Sequence, residues 1–91
     1  MPARLLRIEG RVQGVGYRDW LQREAQRAGL SGWVRNRPDG SVQALLAGEA
    51  AAVQALLDAC RRGPLLARVD RIADSPADPP EAPGFLRLPT G

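Results

Sequence analysis

The stretch LLRIEGRVQGVGYRDWLQREAQRAG, residues 5–29, changes its apolar period from two to about 3.6 across a glycine-punctuated turn, and that change decides the fold. Leu6, Ile8, Gly10 and Val12 fall on one side of the period-two segment, with Arg7, Glu9 and Arg11 on the other. This alternation predicts a half-buried first strand. Beyond the turn, Tyr17, Leu21, Ala25 and Ala28 recur at helical spacing, Asp19 precedes Arg23 by four residues, and Gly29 supplies a stop. The spacing predicts a helix over about residues 18–28.

Outward from that stretch the same two periods alternate. GLSGWVRNRPDGSVQALLAG, residues 29–48, holds two β-rich runs around Arg37-Pro38-Asp39-Gly40, with proline at the second turn position and glycine at the fourth. It reads as a β-hairpin, and Trp33 is expected to pack under a helix. Val53, Leu56, Leu57 and Cys60 mark a second amphipathic helix ending near Gly63-Pro64. Leu66 to Ala73 reads as a fourth strand. Ser75 to Gly84 contains four prolines and reads as a loop, followed by a short strand at Phe85 to Leu88.

The order β-α-β-β-α-β, with one added short strand, is the split βαβ arrangement. The expected class is therefore α+β: a ferredoxin-like sandwich with an antiparallel four-stranded sheet plus a short fifth strand, and two helices on one face. At 91 residues the chain is expected to form a single domain, residues 1–91. The 44% apolar content is ordinary for a globular protein, and no apolar run approaches the ~20 residues that span a bilayer. The N-terminus lacks a long apolar signal region, so a cytoplasmic location is expected.

Charge and residue usage narrow the chemistry. The formal charge is +3, and all 13 basic residues are arginine, which suits an anionic partner. There is no histidine, so the usual proton shuttle and the commonest metal ligand are both missing. A single cysteine, Cys60, can form neither an internal disulfide nor a cysteine-rich metal site, and reads as a small buried hydrophobe.

The most informative position is Arg18. It falls in the first turn of the first helix, where unpaired N–H groups and roughly half a positive charge already disfavour a cation. A bound anion reverses that sign. Gly14 and Gly16 let a ligand approach the backbone, and successive amides of such a turn converge on a phosphate-sized oxyanion. Arg18 then adds a planar, always-charged fork matched to phosphate oxygens. Asn36, just before the hairpin turn, is a candidate neighbour. Its carboxamide can orient a water molecule without carrying charge, although asparagine before Pro-Asp-Gly also serves turn chemistry, and spacing alone leaves both readings open.

These residues resemble the acylphosphatases, small enzymes that hydrolyse the carboxyl-phosphate bond of acyl phosphates. The resemblance covers nearly the whole chain and rests on GRVQGVGYR (10–18), GWVRNRPDGSV (32–42) and GPLLARV (63–69). It implies a hydrolase in which Arg18 and Asn36 are catalytic, Asn36 orienting the attacking water. It further implies that Gly14, Val15, Gly16, Tyr17 and Arg18 bind the phosphoryl group. Members often carry a bulky residue where this chain has Gly16, and the proline-rich tail departs from the family's longer endings. No metal and no cofactor are implied, and the expected partners are a small-molecule acyl phosphate and inorganic phosphate as product. A monomer is expected, with no membrane partner.

The missing histidine accords with that chemistry. An acyl phosphate expels a carboxylate, a weak base that needs no proton from the enzyme, so a general acid adds little. Nucleotide readings fail on sequence: the third glycine of a dinucleotide fingerprint and the GK[ST] ending of a P-loop are both missing. No nucleic-acid partner is expected either, because RNA-recognition domains of this strand order stack bases on aromatics of the central strands. Here those strands are LLRIEGRV and QALLAG, without an aromatic residue.

Overall fold

A computed structural model describes residues 2–91. The elements are β1 (Ala3–Arg11), α1 (Tyr17–Arg27), β2 (Ser31–Asn36), β3 (Val42–Ala47), α2 (Ala50–Cys60), β4 (Arg68–Pro76) and β5 (Phe85–Arg87). They form one sheet in the order β4-β1-β3-β2-β5. The first four strands pair antiparallel, as expected, while β5 lies parallel to β2 and makes the sheet mixed.

Strand parity sorts the side chains. Leu6, Ile8, Val34, Val42, Ala44, Leu46 and Phe85 lie in one buried cluster with Tyr17, Leu21 and Ala25 of α1 and Val53, Leu56, Leu57 and Cys60 of α2. Both helices thus cover the same sheet face, and Tyr17, Leu21, Ala25, Val53, Leu56, Leu57 and Cys60 bury as their spacing predicts, whereas Ala28 is exposed because α1 stops at Arg27 and leaves it as the C-cap. Each fully buried leucine in this layer contributes roughly 1.5–3 kcal/mol of transfer free energy. On the opposite face Ala3, Leu45 and Ala47 form a smaller cluster, with Leu5, Trp33 and Ala77 against it. Trp33 therefore packs on the face away from the helices, because its neighbours Gly32 and Val34 take the helix-facing parity; the Arg35 guanidinium stacks 5.1 Å from its ring centroid.

The bounds of two strands differ from the reading of the sequence, β5 ending at Arg87 rather than Leu88 and β4 shifting at both ends. β4 starts at Arg68 rather than Leu66, leaving Leu65 and Leu66 exposed, and it continues to Pro76, which pairs with Arg4. Proline is tolerated there because β4 is an edge strand, whose outer side needs no donor. The segment 77–84 then carries the chain from one sheet edge to the other. Eight extended residues reach roughly 26 Å, and four inter-strand steps need roughly 19 Å. β5 consequently enters beside the start of β2, with Phe85 opposite Gly32 and Arg87 opposite Val34.

The hairpin turn forms as its sequence dictates. Gly40 N–H donates to the Arg37 carbonyl at 3.1 Å, and Arg37 N–H to the Ser41 carbonyl at 2.8 Å. Asp39 accepts from the Ser41 amide at 2.9 Å and from its hydroxyl at 2.6 Å, and also pairs with Arg7. These Ser41 hydrogen bonds, with Arg7 adding to them, hold the Asp39 carboxyl below the usual carboxylate range.

Candidate active site

β1 ends at Arg11 and α1 begins at Tyr17, so residues 12–16 form the turn between them. Gly14 and Gly16 both adopt left-handed backbone, with φ of 73° and 79°. A Cβ built at either meets nothing within 4 Å, so it is the dihedral rather than crowding that requires glycine. Gly16 is also the N-cap of α1 and offers no capping side chain. The first hydrogen bond of the helix is Trp20 N–H to the Gly16 carbonyl at 3.0 Å. Among the described residues, the amides of Gly14 to Arg18 donate to no backbone acceptor. These are the donors an anion would use.

Arg18 is the second residue of α1 and is half-buried. It forms no ion pair among the described residues, whereas Arg4, Arg7, Arg27, Arg68 and Arg87 all do. Asn36 is the last residue of β2 and shares the helix-facing parity of Val34. It is only 9% exposed, and its carboxamide oxygen has no hydrogen-bond partner among the described residues. A buried acceptor left without a partner costs about 1–3 kcal/mol. Its backbone carbonyl accepts the Gly91 N–H at 3.1 Å, which fixes the strand end from the outer edge.

Turn and strand meet in one open pocket of about 180 Å³, lined by Val12, Gly14, Gly16, Tyr17, Arg18, Asp19, Asn36 and Arg87. That is smaller than the roughly 300–1,000 Å³ typical of drug-sized ligand sites. It suits a small anion with a short appendage. Arg18, Asn36, Gly14, Gly16 and Tyr17 are thus brought together as the sequence reading expected. Val15 is not part of the lining; its side chain packs against the main core.

Tyr17 has a second task. Its ring is buried, meets Trp20 edge-on at 5.4 Å, and its hydroxyl donates to the Cys60 carbonyl at 2.7 Å, capping the end of α2. Burial, with Cys60 beside it, pushes the phenol far above its usual range, and burial pushes the Cys60 thiol up to about 12. Neither group ionises near neutrality, so neither supplies a nucleophile.

Sequence reasoning missed three contributors. Gln13 donates from Nε2 to the carbonyls of Arg37 at 2.8 Å and Ser41 at 2.9 Å, joining the glycine turn to the hairpin. Asp19, read only as a helix-surface partner of Arg23, instead pairs with Arg87. Arg87 reaches the pocket through the parallel β5 pairing, a long-range contact with no local signal in the sequence.

Unpartnered amides, an unpaired arginine and a buried, uncharged acceptor in one pocket are features suited to binding an oxyanion, on a ferredoxin-like sandwich. Comparison with known proteins gives this arrangement a family. The acylphosphatase family model matches residues 5–86. The acylphosphatase of Acidiphilium cryptum is 56% identical over 91 residues, covering 100% of both chains. That of Rhodospirillum rubrum is 52% identical over 90 residues, covering 99% of each. The crystal structure of acylphosphatase from Bacillus subtilis superposes with a TM-score of 0.91 at 35% identity, covering 97% of this chain and 99% of that one. The chain belongs to the acylphosphatase family. It is a hydrolase of acyl phosphates, with a small-molecule substrate and phosphate as product.

Proposed function

We propose that Arg18 and the amides of Gly14, Val15, Gly16 and Tyr17 hold the phosphoryl group, while Asn36 orients the attacking water. The observation that carries this reading is the buried, unpartnered Asn36 carboxamide oxygen in the same pocket as the unpaired Arg18. The oxygen accepts one proton of the water, leaving a lone pair aimed at phosphorus. As the water oxygen bonds to phosphorus, the phosphorus–acyl oxygen bond breaks and the carboxylate departs with the electron pair. The water proton passes to a phosphoryl oxygen of the substrate itself, so no enzyme base is consumed.

Such a transition state is loose, with charge spread over the equatorial oxygens. Preorganised amides and a bidentate guanidinium stabilise that charge and align the reactants. The carboxylate is a good leaving group on its own, so the reaction proceeds without a divalent metal. The same reading has residues 1–91 act as one domain, as a cytoplasmic monomer that binds neither nucleic acid nor membrane. In support, β1 and β3 carry no aromatic residue on which a base could stack, and no described helix is long and apolar enough to cross a membrane.

Titration of the ¹⁵N-labelled protein with inorganic phosphate tests the assignment. The amide resonances of residues 14–18 are expected to shift together, in Asn36→Ala as in wild type, and to lose that response in Arg18→Ala. A response elsewhere on the surface, with the turn silent, would contradict it.

A further inference from the structure

We propose that Arg87 selects the acyl group, favouring acyl phosphates whose acyl end carries a second negative charge such as a carboxylate. The inference rests on the phosphoryl group lying against the turn amides and Arg18.

The argument begins with register. Arg87 pairs with Val34 across the β2–β5 ladder and so takes the helix-facing parity, which carries its side chain toward the start of α1. There its Nη1 donates to Asp19 Oδ1, and both residues line the pocket that holds Arg18 and Asn36. The two cations differ in setting. Arg18 is half-buried on α1, next to the amides; Arg87 comes from an edge strand, with its side chain 42% exposed, and stands at the rim. A phosphoryl group seated on the amides directs its acyl substituent out through the opening, past the rim.

The Arg87 guanidinium is only partly engaged at the rim. A guanidinium has five N–H donors, and Asp19 engages one of them. The remaining donors can meet a carboxylate on the acyl chain with a charge-assisted hydrogen bond. Asp19 sets the strength of that attraction: its carboxylate fixes where the guanidinium lies but also offsets its charge. A neutral acyl chain meets only the aliphatic stem and gains nothing from the cation.

The discriminating quantity is a ratio: kcat/KM for succinyl phosphate divided by kcat/KM for butyryl phosphate, which has the same chain length without the carboxylate. Arg87→Ala is expected to lower this ratio about five- to tenfold, the scale of one charge-assisted hydrogen bond at a half-exposed site. Arg87→Gln, which keeps much of the stem, is expected to do the same and guards against a folding effect. Asp19→Asn, by removing the competing carboxylate, raises the ratio. Arg18→Ala lowers both rates together and leaves the ratio near its wild-type value. An unchanged ratio in both Arg87 variants overturns the proposal and leaves Arg87 as a tie between β5 and α1. If Arg18→Ala keeps both rates, the phosphoryl site lies elsewhere and the reading beneath the proposal fails instead.

Discussion

The carboxamide of Gln13 donates to the Arg37 carbonyl at 2.8 Å and so ties the glycine turn before α1 to the hairpin that carries Asn36. A second bond from the same nitrogen, to the Ser41 carbonyl at 2.9 Å, spans the base of that hairpin. One side chain thereby sets the spacing between the two halves of the pocket. Small misplacements of reacting groups are costly in rate, so on the proposed reading this clamp serves the function as well as the fold.

Gln13→Leu therefore lowers kcat about tenfold while changing KM little, because each half of the site survives but their alignment does not. Gln13→Glu is worse, since it sets a carboxylate against two carbonyl oxygens. Steady-state kinetics on both variants check this; an effect confined to KM would show that the clamp acts on binding alone.

Arg18 can be separated from a generic cation. On the proposed reading, removing it takes away a donor of the transition state, an expected loss of roughly 10²–10³ in kcat for sites of this type. Arg18→Lys recovers only part of the loss, because a point charge does not reproduce the planar fork. Equal activity of Arg18→Lys and wild type, measured as kcat/KM, would mean that charge alone matters.

Gly14 and Gly16 were legible in the sequence as close-approach positions, but the structure gives them a backbone reason: left-handed φ with open space around each added Cβ. Gly16→Ala is accordingly expected to cost about 1 kcal/mol through its dihedral, and Gly16→Asn less, since asparagine tolerates that region. Denaturant midpoints of the two variants give the comparison. A larger cost for Asn than for Ala would point to crowding instead.

How far the residues spoke for themselves depended on range. Local periodicity placed the core faces of both helices, because Leu21, Ala25, Val53, Leu56, Leu57 and Cys60 repeat within a few residues and bury as a unit. Turn chemistry likewise placed the Arg37–Gly40 turn, and the glycine spacing placed the turn between β1 and α1. What escaped was set by distant pairings. Trp33 looks apolar enough for the helix side, yet its parity relative to Val34 sends it to the other face. The parallel placement of β5 depends on a crossing of the whole sheet, and with it came Arg87 and its pairing to Asp19.

Alkaline pH should destabilise the protein in a definite window. Burial raises the folded-state pKa of both Tyr17 and Cys60, so each contributes fully below its unfolded value. As pH rises past roughly 8.5 for the thiol and roughly 10 for the phenol, the unfolded chain loses protons that the folded protein retains, and stability falls. Tyr17→Phe lowers stability by about 1–2 kcal/mol at neutral pH, because it leaves the Cys60 carbonyl without its donor. It also shows a shallower decline above about pH 10. Parallel pH curves for the two proteins would contradict the assignment of that decline to Tyr17.

The most direct test of the whole arrangement is hydrolysis of benzoyl phosphate by wild type, Arg18→Ala and Asn36→Ala, in the presence of a metal chelator, with phenyl phosphate as the monoester control. The site described above predicts fast cleavage of the acyl phosphate alone by wild type, with turnover collapsing in both variants although Asn36→Ala still binds inorganic phosphate. Full activity in either variant, or turnover by wild type that the chelator abolishes and added metal restores, would contradict it.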